Sequence, residues 1–300
     1  MTKKILAAVA VCCMVAGMAQ GADFRYRQSG DWTQTSPLND QPGWQLQSTV
    51  PTTSDTGIIN WGNNTVTVTT TETVGSVRVG QDEQGNLVIA PTGYLTTGGG
   101  LPGDFTLGQG NGSAGTGYLT VQAGGVLDVG NILYNGLRAD GTADIYGTVN
   151  VASHLWTGWS DLSGGATGTY NIYDGGVLNV SQMLGLNWQN LAANAGFINI
   201  NDGGTLNLNE IEAAGNSIRD NSLLTISLGG LLTKTGDFTS VIQTEYIDTG
   251  KIVGAGAAPL SVTYDEGSDL TSVVAIPEPA TLGLVAIFGG ALFFRRRFAR

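Results

Sequence analysis

Two carboxylates stand where they could do chemistry. Asp174 and Asp202 each precede a glycine pair, Gly175-Gly176 and Gly203-Gly204, at the same point of two matching segments 28 residues apart. If those segments stack as neighbouring strands, the carboxylates lie about 4.8 Å apart, and such a pair could hold Ca²⁺ through its oxygens. A plainer role is an Asx-type turn, in which each side chain bonds the backbone that follows. Ala123 and Leu228 fill the same place in other segments. A turn tolerates that better than a metal site does, so the turn is the preferred assignment and calcium at Asp174 and Asp202 the secondary one. No other metal or cofactor is implied.

Cleaving a polysaccharide would need a base beside such acids. Arg78, Arg138, Arg219, Lys234 and Lys251 are the bases of the central chain, and none shares the register of Asp174. His154 is the sole histidine, which leaves a Ser-His-Asp site no choice of base. These observations favour a protein that is not an enzyme. Trp156, Trp159 and Trp188 fall near variable polar loops. They could offer an aromatic platform to a glycan, or pack over a corner of the core. Gly108-Gln109-Gly110-Asn111-Gly112 is glycine-rich but lacks the Lys-Ser/Thr ending and following helix of a phosphate-binding loop.

The elements that position these residues are repeats. The segment 168–180 (GTYNIYDGGVLNV) returns as 196–208 (GFININDGGTLNL) and has an earlier copy at 117–129 (GYLTVQAGGVLDV). Degenerate copies lie at 143–151 and 224–233. Measured at Gly125, Gly147, Gly176, Gly204 and Gly230, the steps are 22, 29, 28 and 26 residues, a spacing that marks a solenoid or propeller. Each unit reads as strand, Gly turn, strand, with period-two alternation. One unit has an oily face and nothing to cover it, so the copies must stack. The predicted inward files are Leu127, Val149, Leu178, Leu206, Leu232; Leu119, Ala143, Tyr170, Ile198, Leu224; and Val121, Ile145, Ile172, Ile200, Ile226. The predicted outward files are Asp128, Asn150, Asn179, Asn207, Thr233 and Thr120, Asp144, Asn171, Asn199, Thr225. Amides stacked at the strand spacing can bond along the stack and avoid the repulsion of stacked carboxylates. A second series, Gly80, Gly108, Gly136, Gly158, Gly185 and Gly215, follows short apolar segments and opens the variable loops.

Composition agrees with an all-β chain. Glycine supplies 46 of 300 residues, about twice its usual share. The net charge is −11, and 6 of the 13 Lys and Arg crowd the two ends, so the middle is acidic and repels nucleic-acid phosphates. Cys12 and Cys13 both lie in an N-terminal apolar stretch. Its removal would leave no thiol for a disulfide or a nucleophile.

Residues 1–21 read as a secretory signal peptide, with Lys3-Lys4, an apolar run, and small residues at Ala19 and Gly21 for signal peptidase. Residues 22–79 are expected to be an N-terminal cap and entry strands, with Trp32 and Trp44 covering the open end. Residues 80–265 carry the repeats, closing with strands at 238–242, 246–247, 251–253 and 260–264, and 266–276 reads as a linker. Residues 277–300 hold Pro277-Glu278-Pro279, an apolar run to Phe294, and Arg295-Arg296-Arg297. The run is about long enough to span a bilayer as a helix, and the arginines should stay cytoplasmic.

That C-terminal arrangement resembles the PEP-CTERM sorting signal of bacterial exported proteins. The resemblance implies recognition by an exosortase-type membrane protease through Pro277, Glu278, Pro279, Arg295, Arg296 and Arg297, then transfer to the cell surface or exterior, often in bacteria that make exopolysaccharide. The repeats resemble, more loosely, the β-helical passengers of autotransporter-like surface proteins. The expected fold is therefore an all-β, right-handed, single-chain parallel β-helix of about six coils, with an N-terminal signal helix and a C-terminal transmembrane helix. Its expected role is structural or adhesive at the cell surface or in extracellular matrix, with exopolysaccharide a candidate partner. The alternative is a polysaccharide-binding or pectate-lyase-like polysaccharide-degrading β-helix.

Overall fold

A computed structural model describes residues 22–26, 28–36, 43–45, 49–60, 62–98, 103–110, 115–160 and 165–277. The signal-peptide reading of residues 1–21 and most of the sorting motif (Glu278, Pro279, Arg295, Arg296, Arg297) lie outside these, while Pro277 is their last residue. Among the described residues no helix is long and apolar enough to cross a membrane.

The chain is an all-β solenoid whose circuits lay strands on three walls. Wall one is a nine-stranded parallel sheet from Gly30–Asp31 to Ile252–Gly254, passing through Gly117–Val121, Gly141–Ile145, Thr167–Ile172 and Ala195–Ile200. Wall two runs through Thr71–Val74, Tyr94–Thr97, Val126–Val129, Thr148–Val151, the first half of Val177–Leu186, Thr205–Glu210 and Leu231–Thr235. Wall three holds short strands: Thr56–Ile59, Ser76–Val79, Phe105–Leu107, Leu133–Asn135, Leu155–Thr157 and residues 184–186. The register is the one the repeats predict. Leu127, Val149, Leu178, Leu206 and Leu232 pair in succession and are all buried. The other two inward files follow the same rule on wall one.

The glycine pairs turn the chain from wall one to wall two, and the two members do different jobs. Gly175 and Gly203 have φ near +73° and +72°, at the third position of turns closed by Gly176 N–H to Tyr173 O (2.8 Å) and Gly204 N–H to Asn201 O (2.9 Å). That is the signature of a type II turn. The second glycines, Gly176 and Gly204, sit under the carbonyls of Ile145 and Ile172 one circuit back, where a Cβ would come closer than 3.0 Å to backbone oxygen.

The outward files are hydrogen-bonded ladders. On wall two Asn150 donates to Asp128 (2.6 Å), Asn179 to Asn150 (2.7 Å), Asn207 to Asn179 (2.8 Å) and Thr233 to Asn207 (2.6 Å). On wall one Asn171 donates to Asp144 and Asn199 to Asn171, both at 2.8 Å. Every rung donates toward the N-terminal end, so each ladder begins at a carboxylate. An ionised carboxylate only accepts, and it ends a one-way row of donors without leaving an orphan.

Four expectations are corrected. The solenoid begins before residue 80: Thr56–Ile59, Asn64–Val68 and Thr71–Val74 already make a full circuit, each in parallel register with the next. Thr65-Val66-Thr67-Val68 has the same alternation as later strands, but no glycine pair announces its turn. Only the start of the 22–79 segment is a cap, in which Tyr26, Trp32 and Trp44 are fully buried and pack edge-to-face at 4.7–5.0 Å.

At the other end, the strands expected at 238–242 and 246–247 are helical, Thr239–Val241 running into Ile242–Ile247. Ile242 and Tyr246, four apart, share a helical face and are both buried. The expected linker 266–276 contains a strand, Leu270–Ala275, paired antiparallel with both Leu231–Thr235 and Leu260–Asp265. Its alternation buries Thr271, Val273 and Ala275. A parallel stack ends in an open edge, and this hairpin closes wall two. Finally, the left-handed position after wall three is filled by Gly80, Gly108, Gly136, Gly158 and then Asn187, φ +50°. Gly185 belongs inside the preceding strand, opposite Trp156.

Candidate functional site

Wall three gathers the tryptophans. In Leu155–Thr157 the flanking side chains face the core and Trp156 faces out, above Gly185 of the next circuit. A Cβ at Gly185 would fall less than 3.0 Å from Cε3 and Cζ3 of the Trp156 ring. The glycine is therefore the floor on which the indole lies. Trp159 follows the left-handed Gly158, and Trp188 follows the left-handed Asn187, so the same backbone turn returns both rings over the wall. Trp156 lies 5.7 Å from Trp159 and 4.6 Å from Trp188, tilted by 52° and 38°.

Other groups join them. Tyr134, one circuit before Trp156 in the same file, meets Trp159 edge-on at 6.1 Å. His154 stacks on Trp156 at 5.0 Å, and its Nδ1 is 2.6 Å from Ser153 Oγ. Arg219 lies over Trp188 at 4.9 Å, a cation–π contact. Oriented to satisfy both neighbours, the Gln189 amide accepts from Trp159 Nε1 (2.8 Å) and donates to Ser160 O (3.0 Å). Burial, then the nearby Asp104, raises the Tyr134 hydroxyl above its ordinary pKa.

The structure thus brings Trp156, Trp159 and Trp188 together as expected, but as a tilted, interlocked cluster instead of a flat platform. Trp156 is only 7% exposed, while Trp159 and Trp188 are half-buried. Sequence reasoning missed Tyr134 and Arg219. The 22-residue step from Tyr134 to Trp156, the same as from Gly125 to Gly147, was the available signal for the first. Gly185→Val should lower stability by about 2–3 kcal/mol through overpacking and shift tryptophan emission to the red as Trp156 lifts into solvent. Unchanged emission and melting would remove this account of the glycine.

Asp174 and Asp202 occupy equivalent, exposed turn positions in adjacent circuits. Backbone hydrogen bonds close both turns, and each carboxylate leans on the glycine of the next circuit, Asp174 on Gly203 and Asp202 on Gly229. Among the described residues no group of three His, Cys, Asp or Glu could hold a metal ion. Comparison with protein-family models, characterised proteins and solved structures finds no match.

The bases stand apart from these acids. Lys234 takes an inward register beside Leu208 and is 4% exposed. Its Nζ sits 3.7 Å over the Phe238 ring and donates to Thr235 O. Burial holds this ammonium below its ordinary pKa, against the opposing pull of Glu210 and Asp269. Lys251 Nζ donates to Gly215 O at 2.7 Å. Both lysines bond the backbone at the closing end of the solenoid, and neither is hydrogen-bonded to an acid of the turns.

Proposed function

We propose that this chain is an exported structural or adhesive protein of the cell surface or extracellular matrix, and no enzyme. Its body is a right-handed parallel β-helix of about six coils, the hand following from the general preference of parallel crossovers. The observation that carries the reading is the pair of amide ladders. On walls one and two the outward asparagines bond one another from circuit to circuit, which stiffens a rod and leaves no convergence of acid and base. Acidity supports it too, since a net charge of −11 keeps such a rod dispersed and away from nucleic acid.

The sequence at either end supplies the route. Signal peptidase removes residues 1–21, and an exosortase-type protease recognises Pro277-Glu278-Pro279, the apolar run as a membrane helix, and Arg295-Arg296-Arg297. Mass spectrometry of the protein recovered from its native cells should find an N-terminus near residue 22 and a C-terminus before Arg295, on surface or medium material. An intact chain beginning at Met1 and confined to the cytosol would overturn the proposal. The degrading alternative has its own assay: new reducing ends or unsaturated products from acidic glycans would make the chain an enzyme.

A further inference from the structure

The outer face of wall two holds a groove of about 590 Å³, lined by Asn179, Ser181, Asn207, Asn209, Thr233 and Thr235, with Leu270 at one end. We propose that this groove binds a neutral polysaccharide chain. Three independent features lead there.

The first is unused hydrogen-bonding capacity. A carboxamide has two N–H donors and an oxygen with two lone pairs. Along the ladder Asn179 and Asn207 each spend one donor on the rung before and one lone pair on the rung after. One donor and one acceptor per rung are left over, repeating at the strand spacing of about 4.8 Å. Sugar hydroxyls both donate and accept, and a chain of them repeats along its length, so the match needs no unique ring orientation.

The second is charge. No lining residue is ionisable, in a chain of net charge −11. An anionic chain would find no cation in the groove and a repulsive field around it; a cationic ligand would find no carboxylate to pair with. Amides and hydroxyls select for neutral, hydrogen-bonding ligands.

The third is a local break in an otherwise regular wall. The pairing of Val177–Leu186 with Thr205–Glu210 shifts register between Val180 and Met183. A bulge there bends the strand beside Ser181, at the groove's edge. Leu270, from the antiparallel closing strand, stands opposite Thr235 and gives the C–H face of a sugar an apolar contact. The inference depends on the extracellular reading for its supply of ligand and not for its geometry.

Affinity electrophoresis of the full-length chain in mild detergent tests it, with gels containing neutral polysaccharides (β-glucan, α-glucan and galactomannan) or anionic ones (alginate and polygalacturonate). At least one neutral gel should retard the chain. The doublet Asn209→Leu/Thr235→Val, at exposed positions outside the ladder, should weaken that retardation about tenfold or more, as for two lost hydrogen bonds, at an unchanged melting temperature. Trp159→Ala/Trp188→Ala should leave it intact. Retardation by anionic gels alone, by no neutral gel, or lost with the tryptophans while the groove doublet still binds, would each overturn the groove. A cytosolic chain that nevertheless binds neutral glucan would sink the export reading alone; a surface protein that binds none would sink the groove alone.

Discussion

Tyr170→Ala should lower the unfolding free energy by about 3–5 kcal/mol, the range for emptying a fully buried aromatic site. Tyr170 has no exposed surface and sits in an inward file between Ala143 and Ile198. Ala143 is the one small residue of that file. Its missing volume lets the ring of the next circuit cross the core toward wall three, where Asn135 and Thr157 replace the aliphatic residues found elsewhere in that file, such as Leu107 and Leu186. The hydroxyl faces both, and burial drives its pKa well above the ordinary value. Yet Tyr170 OH, Thr157 Oγ1 and Asn135 Oδ1 are buried without a well-formed hydrogen bond, so the ring and not the hydroxyl should carry the stability. Tyr170→Phe is therefore expected within about 1 kcal/mol of the parent. Urea titrations followed by circular dichroism compare the two. A loss for Tyr170→Ala no larger than for Tyr170→Phe would mean that the ring does not fill the core.

Asn150→Asp should cost about 2–4 kcal/mol at neutral pH, and recover in acid. Asn150 donates to the Asp128 carboxylate and accepts from Asn179. The substitution removes a charge-assisted hydrogen bond, worth about 1.5–3 kcal/mol. It also sets two carboxylates on facing rungs, where like charges repel. The pair would share a proton in the folded state, so its folded pKa rises above the unfolded value near 3.9. The folded state then binds more protons than the unfolded one, and stability falls as pH rises between those two pKa values. Below about pH 4 the shared proton restores the rung's donor and the variant should approach the parent. Melting temperatures at pH 3.5, 5 and 7 read this out; a pH-independent deficit would argue that Asn150 matters for shape alone.

The repeats were legible because every link in that argument is local or periodic. Alternation of Leu178 with Asn179, and its echo in Leu206 with Asn207, assigns inside and outside without a structure. Equal steps between glycine pairs then put Leu178 over Leu206, and the observed register agrees. Asp174 and Asp202 came out in adjacent circuits for the same reason. The misreadings fall where the period stops. Val273 and Ala275 alternate with Ser272 and Val274 like any strand, but their partner lies at 231–235 in antiparallel order, which no repeat announces. Ile242 and Tyr246 belong to a cap whose helical form depends on the end of the core it covers. Gly185 looked like one more turn glycine, and its real constraint is an indole 29 residues earlier in the chain.

By itself the amino-acid order determined the class of fold, the inward and outward files and the stacking of the copies, because an oily face on each unit can be hidden only by an equivalent face on the next. The tertiary structure alone decided where the stack begins and how it is closed. It also set which way the amides donate, how Trp156, Trp159 and Trp188 lock together with Tyr134 and Arg219, and where wall two hollows into a groove. Those features join residues from circuits that do not copy one another, and packing in three dimensions is the only place where their sizes and hydrogen-bonding needs meet.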